Sequence, residues 1–367
     1  SKALNCKAIC RIIMEEGLGL DVVSGGELYT ALQAGFPANK IHMHGNNKTP
    51  AELRMALDAG VGRIVLDNLF EMETLNQMAG NLGKKVAVSM RVKPGIDAHT
   101  HEFIRTGQID SKFGFALETG EALQAVKQVL AAENLTLKEL HCHIGSQIFE
   151  IEPFVQAAKV MMDFMAEIRK ETGLAIESLN LGGGFGIHYL TSDQPQPYDR
   201  YMEAVSLAIR EKAAEHDVPM PFICIEPGRS IVGEAGITLY EIGGIKEIPN
   251  VRNYVSIDGG MTDNPRFALY QSAYTVLIAD KAGQRADYQA TIAGKCCESG
   301  DLIQKDTMIQ TPEVGDILAV LSTGAYNYSM ASNYNRIPRP AIVLVRDREA
   351  RLAVRRESYE DLIRNDL

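Results

Sequence analysis

Between residue 18 and about residue 229 the chain repeats one pattern: a short run of β-branched and apolar residues, a polar or glycine-bearing turn, then an amphipathic stretch with helical spacing. Repeated units of this kind build a parallel sheet covered by helices. The pattern predicts seven strands, at 19–24, 40–45, 63–68, 85–93, 137–146, 178–185 and 222–229. Between the second and third, a helix is predicted with Thr49 as its N-cap and Gly60 as its C-cap. The first amphipathic stretch, residues 6–16, has no strand before it, and seven strands close a barrel poorly. The prediction is therefore an α/β fold, a TIM-like (β/α)8 barrel whose first strand and N-terminal segment would precede Ser1.

After about residue 235 the alternation stops. Short strand-like runs at 253–258, 273–279, 287–293, 316–321 and 340–346 are separated by turn residues, and a short helix is expected at 357–365. Residues 1–235 thus read as the barrel and 236–367 as a second, mostly β domain, a division natural for 367 residues.

Composition narrows the function. A formal charge of −10 argues against general affinity for nucleic acid or an anionic membrane, while leaving room for a local basic pocket. No apolar run approaches the roughly 20 residues of a membrane-spanning helix, and the first residues lack signal-peptide architecture, so a cytoplasmic, small-molecule enzyme is expected. Six cysteines without a Cys-x-x-Cys pair point to reduced thiols and no metal site.

Polar and glycine residues gather where the predicted strands end: Ser24 to Glu27, His44 to Asn46, Asp67-Asn68, Arg91, His143, Gly182 to Gly184, and Glu226. In a parallel barrel those ends carry the active site. Gly182-Gly183-Gly184 would follow the seventh strand and Glu226-Pro227-Gly228-Arg229 the eighth, counting the expected first strand. Loops at those two places commonly hold a phosphate through backbone N–H groups that glycine lets approach closely. A triple glycine alone is more often a turn; the pairing with the second loop shifts the balance toward a phosphorylated ligand. A carboxylate beside such a site suits pyridoxal 5'-phosphate, with Glu226 keeping the pyridine nitrogen protonated. That cofactor needs a lysine, and the residues alone do not choose among Lys2, Lys48 and Lys93.

Ser1-Lys2-Ala3, Asp21 to Leu28, His143-Ile144-Gly145-Ser146-Gln147, Gly182 to Phe185, Glu226 to Arg229, Cys297-Glu298-Ser299-Gly300-Asp301 and Thr323 to Tyr326 occur in order along the chain. This succession resembles the motifs of diaminopimelate decarboxylases, pyridoxal-phosphate enzymes with an alanine racemase-like barrel. The resemblance implies that Lys2 carries the cofactor, that His143 stacks on its ring, and that Ser146, Gly184, Glu226, Pro227, Gly228, Arg229 and Tyr326 surround its phosphate and ring. It also implies a homodimer with shared active sites, in which Cys297 of a second subunit transfers protons and Glu298 binds substrate. Read alone, Cys297 is a buried, inert thiol, His143 a core histidine and Tyr326 aromatic packing.

The resemblance extends to Asp263 to Tyr270, which implies substrate-binding roles for Arg266 and Tyr270, with Arg229 and Tyr326. Charge argues the same way. The distal end of meso-diaminopimelate is a zwitterion, so its pocket needs an acid such as Glu298 and a guanidinium for the carboxylate. A buried arginine there would repel the distal ammonium of ornithine. The rival readings are a decarboxylase of ornithine, arginine or carboxynorspermidine, an amino-acid racemase, and an inactive decarboxylase-like regulator.

Overall fold

The computed structural model describes residues 1–96 and 111–367 and divides into two compact units. The first comprises Ser1–Gly186 and Gln194–Pro227, the second Ile187–Asp193 and Gly228–Leu367. The division thus falls earlier than residue 235, and a short segment after the glycine loop belongs to the second unit, which no local pattern in the sequence marks.

In the first unit, β1 (Leu20–Val22), β2 (Ile41–Met43), β3 (Arg63–Leu66), β4 (Val86–Lys93), β6 (Leu135–His141), β7 (Ser178–Asn180) and β8 (Phe222–Cys224) pair side by side in that order, all parallel. All seven predicted strands are present. A further two-residue strand, β5 (Phe115–Ala116), pairs with the end of β4 and is too short to show a period in sequence. The path ends at β1 on one side and β8 on the other, so among the described residues the barrel sheet is open there.

The strands read as almost continuous apolar runs because both faces are covered, as β4 illustrates with six buried residues of eight. Their core includes Met43, Leu66, Met90, Leu140 and Leu179, with helix residues such as Leu28, Leu75 and Met161 packed outside. Local chemistry sets the helix ends. Thr49 caps the helix Pro50–Ala59 through a capping box with Glu52, and Gly60 ends it in the left-handed region at φ 71°. The Ser24 hydroxyl accepts from Glu27 N, and the Asn68 side chain from Glu71 N. Two of the polar strand-end clusters are therefore at least partly helix caps.

In the second unit, β9 (Thr238–Ile248), β10 (Arg252–Ile257), β11 (Val276–Ile278), β12 (Tyr288–Ala293), β13 (Leu302–Ile309) and β14 (Ile317–Val320) form one sheet in the order β11-β14-β9-β10-β12-β13. All its pairings are antiparallel except β10 with β12. A hairpin of β15 (Ile342–Arg346) and β16 (Glu349–Val354) and a helix at Tyr359–Ile363 follow. The sequence pattern misses β9, β13 and β16. β9 contains Gly243-Gly244, and β13 alternates charged with apolar residues weakly, with Lys305 and Asp306 adjacent. Ile242, Val255, Ile292, Ile303 and Leu318 fill this unit's core.

Candidate active site

The C-terminal ends of β2, β6, β7 and β8 converge on one carboxylate, that of Glu226. Its Oε1 accepts from His44 Nε2 at 2.8 Å and from Asn180 Nδ2 at 2.7 Å, and its Oε2 accepts from His141 Nε2 at 3.1 Å. The Glu226 backbone N donates to Gly182 O at 2.7 Å, tying the loop after β8 to the glycine loop after β7. Burial alone would raise the pKa of this carboxyl; the two histidines beside it, and the hydrogen bonds they donate, hold that pKa well below the usual carboxylate range. Glu226 is therefore ionised. His44, His141 and Glu226 also have the donor types of a metal site, their ligand atoms within 4.8 Å of one another. The separations are those of hydrogen bonds, and the Asn180 amide, which can only donate from its nitrogen, uses the same carboxylate as an acceptor.

Beside this hub lies the glycine loop. A Cβ on Gly182 would come within 2.6 Å of Cys142 O, one on Gly183 within 2.2 Å of Glu226 O, and one on Gly184 within 2.4 Å of Gly145 O. Gly182 and Gly184 also have φ of 69° and 114°. Any side chain would separate this loop from its two neighbours, so glycine is needed at all three positions. Ile148 N donates to Gly184 O at 2.9 Å, so the segment carrying Ser146 runs alongside the loop.

His143 is part of the same assembly. Gly183 N donates to its Nδ1 at 3.3 Å, and burial, followed by the charges of Lys2 and Arg91, pushes the imidazole well below its usual range, so the ring is neutral. Lys2 has an exposed side chain. Its rival Lys48 is buried, 2.9 Å from Glu71 and donating to the carbonyls of Gly45 and Val65 at 2.7 Å each. With its ammonium hydrogens thus engaged, Lys48 is a structural cation. Lys93 donates to Ser111 O at 3.4 Å.

The first unit therefore brings together Lys2, His143, Ser146, Gly184, Glu226 and Pro227. The donor set fits pyridoxal phosphate: a side-chain-free loop for a phosphate, an ionised carboxylate for a protonated ring nitrogen, a neutral imidazole for stacking, and a primary amine. His141 and Asn180 were missed as site residues in the sequence, and His44 was placed among the polar strand ends without a role. The signal was present in part, since His141 lies two residues before His143 and thus on the same face of an extended strand.

Gly228, Arg229, Arg266, Tyr270, Cys297, Glu298 and Tyr326 lie in the second unit. Arg266 opens the helix Arg266–Tyr270, and the four-residue spacing sets its guanidinium 5.6 Å from the Tyr270 ring. Both Arg229 and Arg266 lie over the rings of Tyr189 and Tyr326, at 4.8 to 5.6 Å. Arg229 also donates to the Tyr189 hydroxyl, and Arg266 to Ser272 Oγ at 3.2 Å. Two buried guanidiniums sharing two aromatic faces make a strongly anion-attracting surface. Tyr326 is thus only half-buried and meets cations, rather than serving as aromatic packing alone. Tyr189 was not foreseen, and nothing in its sequence context marks it.

The expectation of a buried Cys297 is corrected. Cys297 is exposed and its neighbour Cys296 is buried, its thiol pushed up to about 12 by burial and then by Asp301. The buried Asp301 carboxylate causes this arrangement: it accepts from Met261 N at 2.6 Å and from Cys296 N at 2.8 Å, leaving the intervening Cys297 to Gly300 turned outward. Cys142 and Cys224, in or beside barrel strands, have thiols pushed up to about 12, chiefly by burial.

Comparison with known proteins is consistent with this chemistry. Residues 1–233 match the family described as pyridoxal-dependent decarboxylase, pyridoxal binding domain. The chain is 52% identical to a diaminopimelate decarboxylase of Bacillus subtilis (strain 168), over all of this chain and 84% of that protein. It is 49% identical to one of Staphylococcus aureus (strain COL), over all of this chain and 85% of that protein. The crystal structure of a diaminopimelate decarboxylase from M. jannaschii in co-complex with L-lysine superimposes with a TM-score of 0.93 at 39% identity, over all of this chain and 83% of that one. Among the described residues no helix is long and apolar enough to cross a membrane.

Proposed function

The chain belongs to the pyridoxal-dependent decarboxylase family, among the diaminopimelate decarboxylases, and from that premise we propose that it is a carboxy-lyase converting meso-2,6-diaminopimelate to L-lysine and CO2 with pyridoxal 5'-phosphate as cofactor. The observation that carries the reading is the ionised Glu226 carboxylate at the meeting of four strand ends, beside a loop that admits no side chain.

When bound, the cofactor supplies an electron sink for the pair released as the carboxylate leaves. Glu226 keeps a proton on the ring nitrogen, and Lys2 Nζ is the amine that holds the cofactor. Neutral His143 offers its face to the ring without adding a competing positive charge. Backbone N–H groups around Gly184, with Ser146 and the loop Glu226 to Arg229, hold the phosphate, and Tyr326 borders the site. Arg266 and Arg229, flanked by Tyr270 and Tyr326, bind the distal carboxylate of the substrate, and Glu298 binds the distal ammonium. Cys297, on an exposed loop, returns a proton to the carbon that lost CO2, acting from a second subunit in a homodimer. The enzyme works in the cytoplasm, where its thiols stay reduced.

Arg266 favours diaminopimelate over ornithine. Its Nε has no hydrogen-bond partner among the described residues, and a substrate without a distal carboxylate would leave that buried charge uncompensated. The test is CO2 release and lysine formation from meso-diaminopimelate by the pyridoxal-phosphate-loaded chain, with ornithine and arginine in parallel, and mass mapping after borohydride reduction. A reduced adduct on Lys2 with lysine as product is expected. Turnover of ornithine in preference, or an adduct on another lysine, would overturn the assignment.

A further inference from the structure

Glu226 has one task in the proposed chemistry, to stay ionised and correctly aimed while buried, and a buried lone carboxylate does neither by itself. Three donors from three different strands meet it. His44 follows β2, His141 ends β6 and Asn180 ends β7. Because an ionised carboxylate only accepts, both imidazoles must present Nε2–H to it. The His141 ring is itself buried, and its Nδ1 has no hydrogen-bond partner among the described residues, so its single strong polar contact is the one to Glu226. The His44 and His141 rings meet edge to face at 4.8 Å, which fixes each ring's orientation by the other. Asn180 is oriented in turn, its Oδ1 accepting from Gly182 N at 2.9 Å, so the hub and the glycine loop share one hydrogen-bond chain.

We propose that His44 and His141 are positioning residues which, together with Asn180, donate three hydrogen bonds to the Glu226 carboxylate and lock it, ionised, for its work on the pyridine nitrogen. This rests on the reading of Glu226 given above. The clamp grips both oxygens from different strands, so the carboxyl plane is held against rotation. It also explains the choice of donors: lysines or arginines would hold the charge as well but would pair with it fully, whereas the His141 imidazole, kept neutral by burial, and the Asn180 amide stabilise the anion while leaving its charge for the cofactor.

Other groups act on Glu226 from the surrounding elements. Arg91 and His42 are cationic or potentially so and favour its charge, as does His143 when protonated. Asp21 opposes it, and Cys142 and Cys224, protonated thiols, add nothing at neutral pH. Burial pushes the imidazoles of His42, His141 and His143 down, so around neutral pH these three rings are uncharged, and for His141 the hydrogen bond is its means of acting.

The experiment follows the side-chain carboxyl of Glu226 by carbon-13 NMR in the full chain labelled with carbon-13 glutamate, the resonance assigned by its loss in Glu226→Gln. Spectra are recorded with bound pyridoxal phosphate and again without cofactor, across about pH 5 to 8. The wild-type carboxyl should remain ionised throughout that range. His44→Leu and His141→Leu should bring its titration into the range and weaken pyridoxal-phosphate binding about ten- to a hundredfold, the worth of a lost hydrogen bond to a charged group. His44→Gln and His141→Gln, which keep an N–H donor near the Nε2 position, should restore both. A wild-type carboxyl titrating like an ordinary glutamate, or folded leucine variants that leave its titration and the cofactor affinity unchanged, overturns the clamp. Should the leucine variants not fold, the wild-type titration decides. A low-titrating Glu226 in a chain that releases no CO2 would sink the reaction and keep the clamp; turnover with an ordinarily titrating Glu226 would do the reverse.

Discussion

Replacing Gly183 by alanine adds one methyl group where two backbones touch. That methyl would sit 2.2 Å from the carbonyl oxygen of Glu226, 2.9 Å from its carbonyl carbon and 3.5 Å from Cα of Pro227. Ordinary contact begins near 3.4 Å, so the loops must part by about 1.2 Å, the difference between 3.4 and 2.2 Å. None of the three is the end of a flexible side chain that could swing away; all are backbone atoms. The Glu226 backbone would have to move, while its carboxylate is tethered at 2.7, 2.8 and 3.1 Å to three other strands. A shift of that size carries at least one of these bonds past hydrogen-bonding range. Overpacking of this kind costs about 1–3 kcal/mol, and losing a hydrogen bond to a charged group about 1.5–3 kcal/mol. Gly183→Ala should therefore lose roughly 2.5–6 kcal/mol of stability, and the second effect alone should weaken cofactor binding about ten- to 150-fold. The assay is an absorbance titration with pyridoxal phosphate alongside thermal unfolding. Gly243→Ala is the control: a Cβ there meets nothing within 4 Å, and its effect should stay within about 0.5 kcal/mol. A Gly183→Ala protein that binds pyridoxal phosphate within twofold of wild type and melts with it would refute the argument from close approach.

Arg266→Leu should raise KM for meso-diaminopimelate about ten- to a hundredfold in a CO2-release assay, with Arg266→Lys recovering only part of this because an ammonium lacks the guanidinium's paired donors; an unchanged KM counts against its contact with the distal carboxylate. Iodoacetamide at neutral pH should modify Cys297 before Cys142, Cys224 or Cys296, since Cys297 is exposed while the other three thiols are pushed up to about 12, and peptide mass mapping reads the order directly. The carboxyl of Glu357 is lowered to about 2, first by hydrogen bonds from Arg339, so its contribution to stability is present above the ordinary value of 4.5 and is lost as pH falls toward 2. Melting curves of wild type and Glu357→Gln should accordingly differ at pH 7 and converge as pH approaches 2, and a gap that widens on acidification contradicts the sign.

Local pattern was enough for whatever depends on local chemistry. The period of apolar residues gave every strand on the main path of the barrel sheet, because strands covered on both faces must be apolar along their length. Thr49 and Gly60 were legible as helix ends because capping is decided within one turn of chain. Gly182 to Gly184 and Glu226 announced themselves by standing at strand ends. The second unit was less legible. Its β9 and β13 face solvent with polar and glycine residues, and their pairing is settled by strands far away in sequence.

What tertiary structure alone decided is which polar residues meet. Sequence could rank Lys2, Lys48 and Lys93 only by resemblance; burial of Lys48 against Glu71 removes it as a candidate amine, because its ammonium hydrogens already have acceptors. Sequence placed Cys296 and Cys297 side by side without distinguishing them, and it is the buried Asp301 that turns one inward and the other out. His44, His141 and Asn180 lie between 46 and 182 residues from Glu226, and no pattern of neighbours along the chain predicts that three strand ends will aim at one carboxylate. Local sequence fixes backbone conformation through short-range sterics and hydrogen bonds. The charge state of a buried group depends instead on donors and charges within a few ångströms in space, which only the folded arrangement of the strands supplies.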